Sequence, residues 1–115
     1  MTMQYNFVVA QGTDFARGFV FRDCGGGVDL TGYKAAMQVR RSARAREAVD
    51  TLTTENGRML ITAKEGRVDI LIPHDVTMNY PQTKLVYDLV LKSGGGLIYR
   101  VIQGVISVEA GVTHV

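Results

Sequence analysis

The sequence predicts an all-β fold: a single antiparallel β-sandwich of about seven to nine strands with immunoglobulin-like or jelly-roll-like connections. Most segments alternate apolar with polar side chains at a period of two, which is typical of strands with one buried face. Turn residues recur about every 8–12 residues, as they do in sandwiches and barrels. The 115 residues, of which 46% are hydrophobic, suffice for one domain with its own core, which we place at residues 1–115.

The first three predicted strands occupy the N-terminal third of the chain. Tyr5–Ala10 and Asp14–Asp23 are rich in aromatic and β-branched residues, which favour strands, and Gly12 lies between them. The third strand, Gly32–Arg41, alternates regularly along its length. One face carries Tyr33, Ala35, Met37 and Val39, and the other carries Lys34, Gln38 and Arg40.

Three further strands are predicted in the middle of the chain. Ala48–Thr54 is a short candidate, and Glu55–Gly57 has the Asn-Gly signature of a tight hairpin. Arg58–Ala63 and Arg67–Pro73 then lie on either side of a turn at Lys64–Gly66.

Two segments have some helical character. Residues 42–50 contain good helix formers but no apolar stripe, so we expect at most one helical turn there. Pro73–Pro81 is bounded by prolines between two strong strands. It predicts a short helical turn near residues 74–80 that crosses from one sheet to the other, with Asp75 as its N-cap.

The C-terminal third predicts a β-hairpin. In Lys84–Lys92, the residues Leu85, Tyr87, Leu89 and Leu91 share one face. Gly94–Gly96 supplies the turn, and the chain returns along residues 97–110. Gly104 interrupts the return strand, which indicates a bulge or a close approach of another backbone segment.

Composition excludes several classes of protein. A single cysteine, Cys24, excludes an internal disulfide and a cysteine-based zinc cluster. No apolar run approaches the roughly 20 residues of a membrane span, and the N-terminus has no signal-peptide pattern. A formal net charge of +2 is too small to indicate a nucleic-acid partner by itself. We therefore expect a soluble protein made in a reducing cytoplasm, with no membrane partner.

The segment RRSARAR, residues 40–46, raises the question of polyanion binding because four of its seven residues are arginine. It must lie on a loop between two strands, and the acidic residues Glu47 and Asp50 follow at once. Stacking aromatics and a recognition helix are missing from its surroundings in the sequence. We interpret it as a solvated or protein-contacting loop, and we expect no nucleic-acid partner. The candidate contact residues are Arg40, Arg41, Arg44 and Arg46.

No pattern of catalytic residues emerges, and we predict a non-enzymatic protein without cofactor or metal. The glycine triplets at Gly25–Gly27 and Gly94–Gly96 lack the context of phosphate-binding loops and are interpreted as turns. Cys24 has no evident basic partner. His74 and His114 are far apart in sequence, and His74 stands beside Asp75 on a short turn, where adjacent side chains rarely face each other.

Several segments in order carry a resemblance that covers roughly residues 14–113. They are DLTGYKAAMQVR, LTTENGRMLI, GRVDILIP, YDLVL and YRVIQGVISVEAGVT. This series resembles a family of small virion domains of phages and prophages. Such domains stand at the N-terminus of baseplate upper proteins or alone as tail or head accessory proteins. The resemblance implies a sandwich with an assembly role in the virion, in contact with other virion proteins or copies of itself and multimeric in the particle.

The N-terminal strand is a second candidate contact element. Its residues Tyr5, Phe7 and Val9 could be donated to the sheet edge of a neighbouring molecule. The alternative is pairing within the same sandwich, which we prefer because Phe7 and Val9 are two residues apart and so share one face of a strand.

Two other functions stay open at this point. A capsid decoration protein that staples coat subunits would share these sequence features with a tail, baseplate or head-to-tail component. A ligand- or carbohydrate-binding module would need a cluster of exposed aromatic side chains, whereas the aromatic residues here fall mostly on faces predicted to be buried.

Overall fold

The structure, a computed structural model, describes residues 2–113 and forms eleven strands in that range. It also contains one helix, α1 (His74–Thr77), and a 3-10 turn at Ala63–Glu65. In chain order the strands are β1 (Met3–Gln4), β2 (Phe7–Ala10), β3 (Phe15–Val20), β4 (Arg22–Asp23), β5 (Gly26–Gly27), β6 (Lys34–Arg40), β7 (Asp50–Thr53), β8 (Met59–Thr62), β9 (Arg67–Ile72), β10 (Lys84–Lys92) and β11 (Ile98–Glu109). The eight longer strands fall within the predicted segments, and β1, β4 and β5 are two-residue additions.

Two sheets form the layers of the sandwich. The larger sheet has the order β1-β11-β10-β6-β7, with β2 also paired to β11, and the smaller has the order β3-β9-β8. The predicted antiparallel sandwich is confirmed, with an exception at one edge, where β1 and β2 both run parallel to β11. The parallel pairing arises because the chain leaves β2 toward β3 in the opposite sheet instead of folding back in a hairpin.

The strand order selects the immunoglobulin-like alternative. In immunoglobulin lettering, β3, β9 and β8 take the places of strands B, E and D. The larger sheet supplies strands G, F, C and C′ as β11, β10, β6 and β7. The connection between β9 and β10 crosses from one sheet to the other through α1, as predicted.

The core lies between the two sheets and follows the predicted alternation. In β10, every second residue from Leu85 to Leu91 is buried, and β6 buries Ala35, Met37 and Val39 in the same manner. Each fully buried Leu, Ile or Val side chain stabilises the fold by about 1.5–3 kcal/mol relative to an exposed one. The largest fully buried side chains are those of Met37, Leu52, Ile70, Ile72, Leu85, Leu89, Ile102, Ile106, Val9, Val39 and Val68.

The Asn-Gly turn does not close a hairpin, so this prediction is wrong. The strand before it, β7, belongs to the larger sheet, and the strand after it, β8, belongs to the smaller one. The side chain of Asn56 accepts from the N–H of Thr53 and Arg58, both at 3.0 Å, and donates to the carbonyl of Thr51 at 3.1 Å. These bonds satisfy backbone groups at the turn and let the chain pass between layers.

The N-terminus of α1 is capped by a residue distant in sequence. Asp75 was expected to cap it, but the N-cap position is Pro73, which has no side-chain bond to offer. The carboxylate of Asp14 accepts from the N–H of His74 at 2.6 Å instead. The hydroxyl of the buried Thr77 accepts from the N–H of Gly12 at 3.1 Å and donates to the carbonyl of Thr13 at 2.8 Å. Both contacts fix α1 to the β2–β3 connection.

Candidate protein-contact surface

The four arginines of residues 40–46 are placed on and beside a loop, as predicted, but they do not share one role. The loop at residues 41–49 joins β6 to β7 at one end of the larger sheet. Arg41, Arg44 and Arg46 are exposed there, whereas Arg40 is half-buried. This loop contains no helix.

Arg40 holds the loop together. Its Nη1 donates to the carbonyl of Ala45 at 2.8 Å and to that of Arg46 at 3.3 Å. Its Nη2 donates to the side-chain oxygen of Gln38 at 2.6 Å. The guanidinium is therefore engaged inside its own chain, and Arg40 positions the other three arginines.

The N-terminal candidates lie mostly in the core, which corrects their assignment as contact residues. Phe7 is 6% exposed and Val9 is 0% exposed. Their strand, β2, pairs with β11 of the same sandwich, in agreement with the preferred alternative. Tyr5 is half-buried, and its ring stands edge-on to that of Phe19 at a centroid distance of 5.4 Å.

Arg17, which the sequence analysis did not single out, covers this aromatic cluster. Its guanidinium carbon lies 5.1 Å from the ring centre of Phe15 and 5.7 Å from that of Tyr5, and it donates to the Tyr5 hydroxyl. Arg17 lies between Phe15 and Phe19 on the same, inward face of β3, which is an edge strand of the smaller sheet. An inward-pointing charge on an edge strand discourages pairing with another chain.

A trough of about 470 Å³, lined by both polar and apolar residues, crosses the outer face of the larger sheet. Asp88 stands at its centre, half-buried, with Gln38 and Gln103 as its cross-strand neighbours on β6 and β11. Gln4 extends the row on β1. Sequence periodicity places these residues on the polar face of each strand, but their alignment in one row depends on the strand register.

Positive charge is concentrated on this side of the molecule. Eight of the 13 Lys and Arg residues lie on the outer face of the larger sheet or on the loop after β6, and only three acidic residues accompany them. The eight are Lys34, Arg40, Arg41, Arg44, Arg46, Lys84, Lys92 and Arg100, and the three are Glu47, Asp88 and Glu109. The net charge of +2 therefore conceals a strongly uneven distribution.

Exposed apolar side chains mark the other end of the larger sheet. Leu97, Ile98 and Tyr99 are 61%, 66% and 47% exposed, respectively, where the hairpin of β10 and β11 turns. A patch of this kind is typical of interaction sites rather than of free surface. The glycine triplet predicts the turn but not the exposure of the residues after it.

A polar network of three side chains stabilises the edge of the sandwich beside β7. Asp50 binds Arg58 through both carboxylate oxygens, at 3.2 Å and 2.7 Å, and accepts from the hydroxyl of Tyr80 at 2.5 Å. Burial, reinforced by the Asp50 carboxylate, raises the pKa of Tyr80 well above its ordinary value. These bonds fix β7 to the start of β8 and to the segment after α1, and we refer to Asp50 as the anchor of this edge.

The residues weighed for catalysis do not come together in residues 2–113. Cys24 is exposed in the turn of the β4–β5 hairpin. Of the first glycine triplet, Gly25 lies in that turn as expected, whereas Gly26 and Gly27 form β5. His74 faces Asp14 rather than Asp75, with its Nδ1 3.0 Å from the carboxylate, and His114 lies outside the described residues. The same range holds no group of three or more His, Cys, Asp or Glu side chains placed to bind a metal ion.

No helix in residues 2–113 has the length and apolar character that a membrane span requires. No protein-family model and no curated protein sequence matches the chain. Among solved structures, extracellular domains 3–5 of Drosophila OTK match with a TM-score of 0.39 and 12% sequence identity. The match covers 90% of this chain and 32% of that one.

Proposed function

We propose that this chain is a non-enzymatic structural protein of a phage virion that acts through protein–protein contacts. Its place in the particle is the tail, the baseplate or the head-to-tail region, after synthesis in the cytoplasm of the bacterial host. Its partners are other virion proteins or copies of itself. The resemblance of segments between residues 14 and 113 to phage and prophage virion domains suggests this setting.

The observation that carries the protein-contact role is the organisation of the larger sheet. Three exposed arginines lie on the loop at one end of its outer face, and exposed apolar residues lie at the other end. The half-buried carboxylate of Asp88 lies between the two ends. The rigid strands β6, β10 and β11 hold both ends at fixed positions. Repeated copies on a symmetric particle can convert modest affinity at each such surface into durable attachment.

A capsid decoration protein is the second candidate within the same class. Both roles need a contact surface, and they differ in the number of copies per particle. The ligand- or carbohydrate-binding alternative has less support, because eight of the nine aromatic residues are buried or half-buried and only Tyr99 is exposed, all within residues 2–113.

Quantitative mass spectrometry of particles purified from a lysogen that carries this gene tests the proposal. We expect the protein in the particles, in a small multiple that matches the symmetry of the tail. Hundreds of copies, also bound to empty heads, would favour the decoration protein. Absence from purified particles would contradict a virion role altogether.

A further inference from the structure

Two lysines oppose each other at one corner of the larger sheet. Lys34 begins β6, Lys92 ends β10, and the two residues are direct partners in the antiparallel pair. Both are exposed on the outer face. Like charges in directly opposite positions destabilise a sheet. Among residues 2–113, neither lysine forms an ion pair or a side-chain hydrogen bond, so nothing described in the chain compensates this repulsion.

The lysines border a depression lined by hydrogen-bond donors. It measures about 400 Å³ and is enclosed by the two lysines, Gly32 and the turn Ser93–Gly96. Ser93 uses its carbonyl and hydroxyl oxygens to accept from the N–H of Gly96 at 3.0 Å and of Leu97 at 3.1 Å. No described residue accepts from the N–H of Gly94 or Gly95. Two lysines and two glycines whose amides have no acceptor among the described residues thus line one depression.

An apolar side chain continues the row formed by the lysines. Ile98 pairs with Lys92 on the far side of β10, and it is 66% exposed on the same outer face. Leu97, 61% exposed, precedes it at the turn. Arg100 adds a third cation one row further along the sheet, opposite Val90.

We propose that this lysine corner, formed by Lys34, Lys92, Gly94, Gly95 and Ile98, binds an acidic segment of a protein partner. A partner carboxylate lies between the two ammonium groups, where it relieves their repulsion and accepts from the glycine amides. An apolar side chain of the partner packs against Ile98 and Leu97. The inference rests on the proposed function and gives its partner a chemistry: carboxylates alternating with aliphatic residues.

The composition of the corner distinguishes this partner from other anionic ones. Nucleic acid would offer phosphates to the lysines but no apolar surface to Ile98 and Leu97, which cannot stack on bases as aromatic side chains do. Anionic lipid head groups would also offer oxygens to the lysines and to the glycine amides, so vesicles form a comparison arm of the test. A protein segment satisfies both the amides and the aliphatic side chains.

The test uses the purified protein and a synthetic peptide, acetylated and amidated, that alternates glutamate with leucine. In ¹⁵N-resolved NMR titrations we expect shifts at Lys34, Lys92 and the amides of Gly94 and Gly95. The same peptide with glutamine in place of glutamate should bind at least about tenfold more weakly. A dT oligonucleotide and vesicles with anionic lipids form the comparison arms.

One substitution should have opposite effects on the stability of the free protein and on its affinity for the peptide. Lys34→Glu converts the repulsive pair into an attractive one, so we expect Tm to rise by about 1–5 °C while peptide binding falls at least tenfold. Lys84→Glu is the matched control, because it makes the same charge change at the other end of β10, opposite Ser107. That control should bind the peptide within about twofold of the original protein.

Three results would overturn the lysine corner: unchanged peptide binding in Lys34→Glu, equal binding of the glutamine peptide, or stronger binding of the oligonucleotide or vesicles at these residues. The outcome is independent of the particle analysis. If the protein is present in particles but its lysine corner fails this test, the proposed virion role stands and the lysine corner is rejected. If the protein is absent from particles but binds the acidic peptide at these residues, the lysine corner stands and the virion role is rejected.

Discussion

The carbonyl oxygen of Tyr5 lies 1.9 Å from the position that a Cβ on Gly104 would occupy. The same oxygen accepts from the hydroxyl of Tyr87, the cross-strand partner of Gly104, at 2.6 Å. Between β1 and β2 the N-terminal segment thus passes so close to β11 that no side chain can fit at position 104. The predicted close backbone approach at Gly104 is confirmed, and it explains how one edge of the sheet accommodates two short parallel strands.

Gly104→Ala tests this close approach. The new methyl group would collide with backbone atoms of Tyr5, at 1.9 Å and 2.7 Å, which cannot rotate away as a side chain could. We expect the free energy of unfolding to fall by about 2–4 kcal/mol in urea denaturation. Gly94→Ala is the control, since its nearest neighbour would be 3.6 Å away, and it should change stability by less than about 0.5 kcal/mol. Equal effects of the two substitutions would contradict the close approach of Tyr5 to Gly104.

The Asp50–Arg58 pair should matter more than the Arg67–Asp69 pair. The side chains of Asp50 and Arg58 are 10% and 17% exposed, against 34% and 44% for Asp69 and Arg67. Asp50→Ala leaves Nη1 and Nη2 of Arg58 and the Tyr80 hydroxyl without their acceptor, so we expect a loss of about 2–4 kcal/mol in chemical denaturation. Asp69→Ala should cost less than about 1 kcal/mol. The reverse order would show that Asp50 is not the anchor described above.

Arg40 should differ from its neighbour Arg41 in its effect on the loop. Arg40→Ala removes the donor to the carbonyls of Ala45 and Arg46, and we expect a loss of about 1–2 kcal/mol. Hydrogen exchange at the amide of Ala45, which donates to Ser42 at 3.1 Å, should also become faster. Arg41→Ala should leave both quantities unchanged. If the two variants behave alike, Arg40 has no positioning role.

The acid titration of Asp14 tests the cap of α1. The backbone N–H of His74, followed by its side chain, holds the pKa of Asp14 below its ordinary value of 3.8. Because the folded-state pKa is lowered, this contact stabilises the protein above pH 3.8 and is lost as the pH falls through the folded-state pKa. Carboxyl-detected NMR should therefore place the midpoint of Asp14 below 3.8.

Two substitutions at residue 74 separate the causes of that shift. His74→Ala keeps the N–H and should retain most of the lowering of the Asp14 pKa. His74→Pro removes the N–H at a position where helices tolerate proline, and it should return the pKa of Asp14 toward 3.8. A full return in His74→Ala would instead assign the effect to the imidazole.

Local patterns predicted the strands because each strand has one buried face. The alternation of Leu85, Tyr87, Leu89 and Leu91 is a property of adjacent residues, and so is the glycine signal at position 104. Such signals do not depend on which strand lies alongside.

What the sequence could not supply was the relation between distant segments. Asn-Gly is as suitable for a crossover as for a hairpin, and only the sheet assignment of β7 and β8 distinguishes the two. Asp14 caps a helix 60 positions away. The opposition of Lys34 and Lys92 likewise appears only once the register of β6 and β10 is known. The virion role stays a prediction.

Photo-crosslinking in assembled particles tests most directly whether the outer face of the larger sheet is the contact surface. A photoreactive residue at Gln103, in the trough of the larger sheet, is compared with one at Leu60, which is 65% exposed on the outer face of the smaller sheet. We expect cross-links to another virion protein or to a second copy from position 103, and none from position 60. Cross-links from position 60 alone would place the contact on the opposite face and contradict the account.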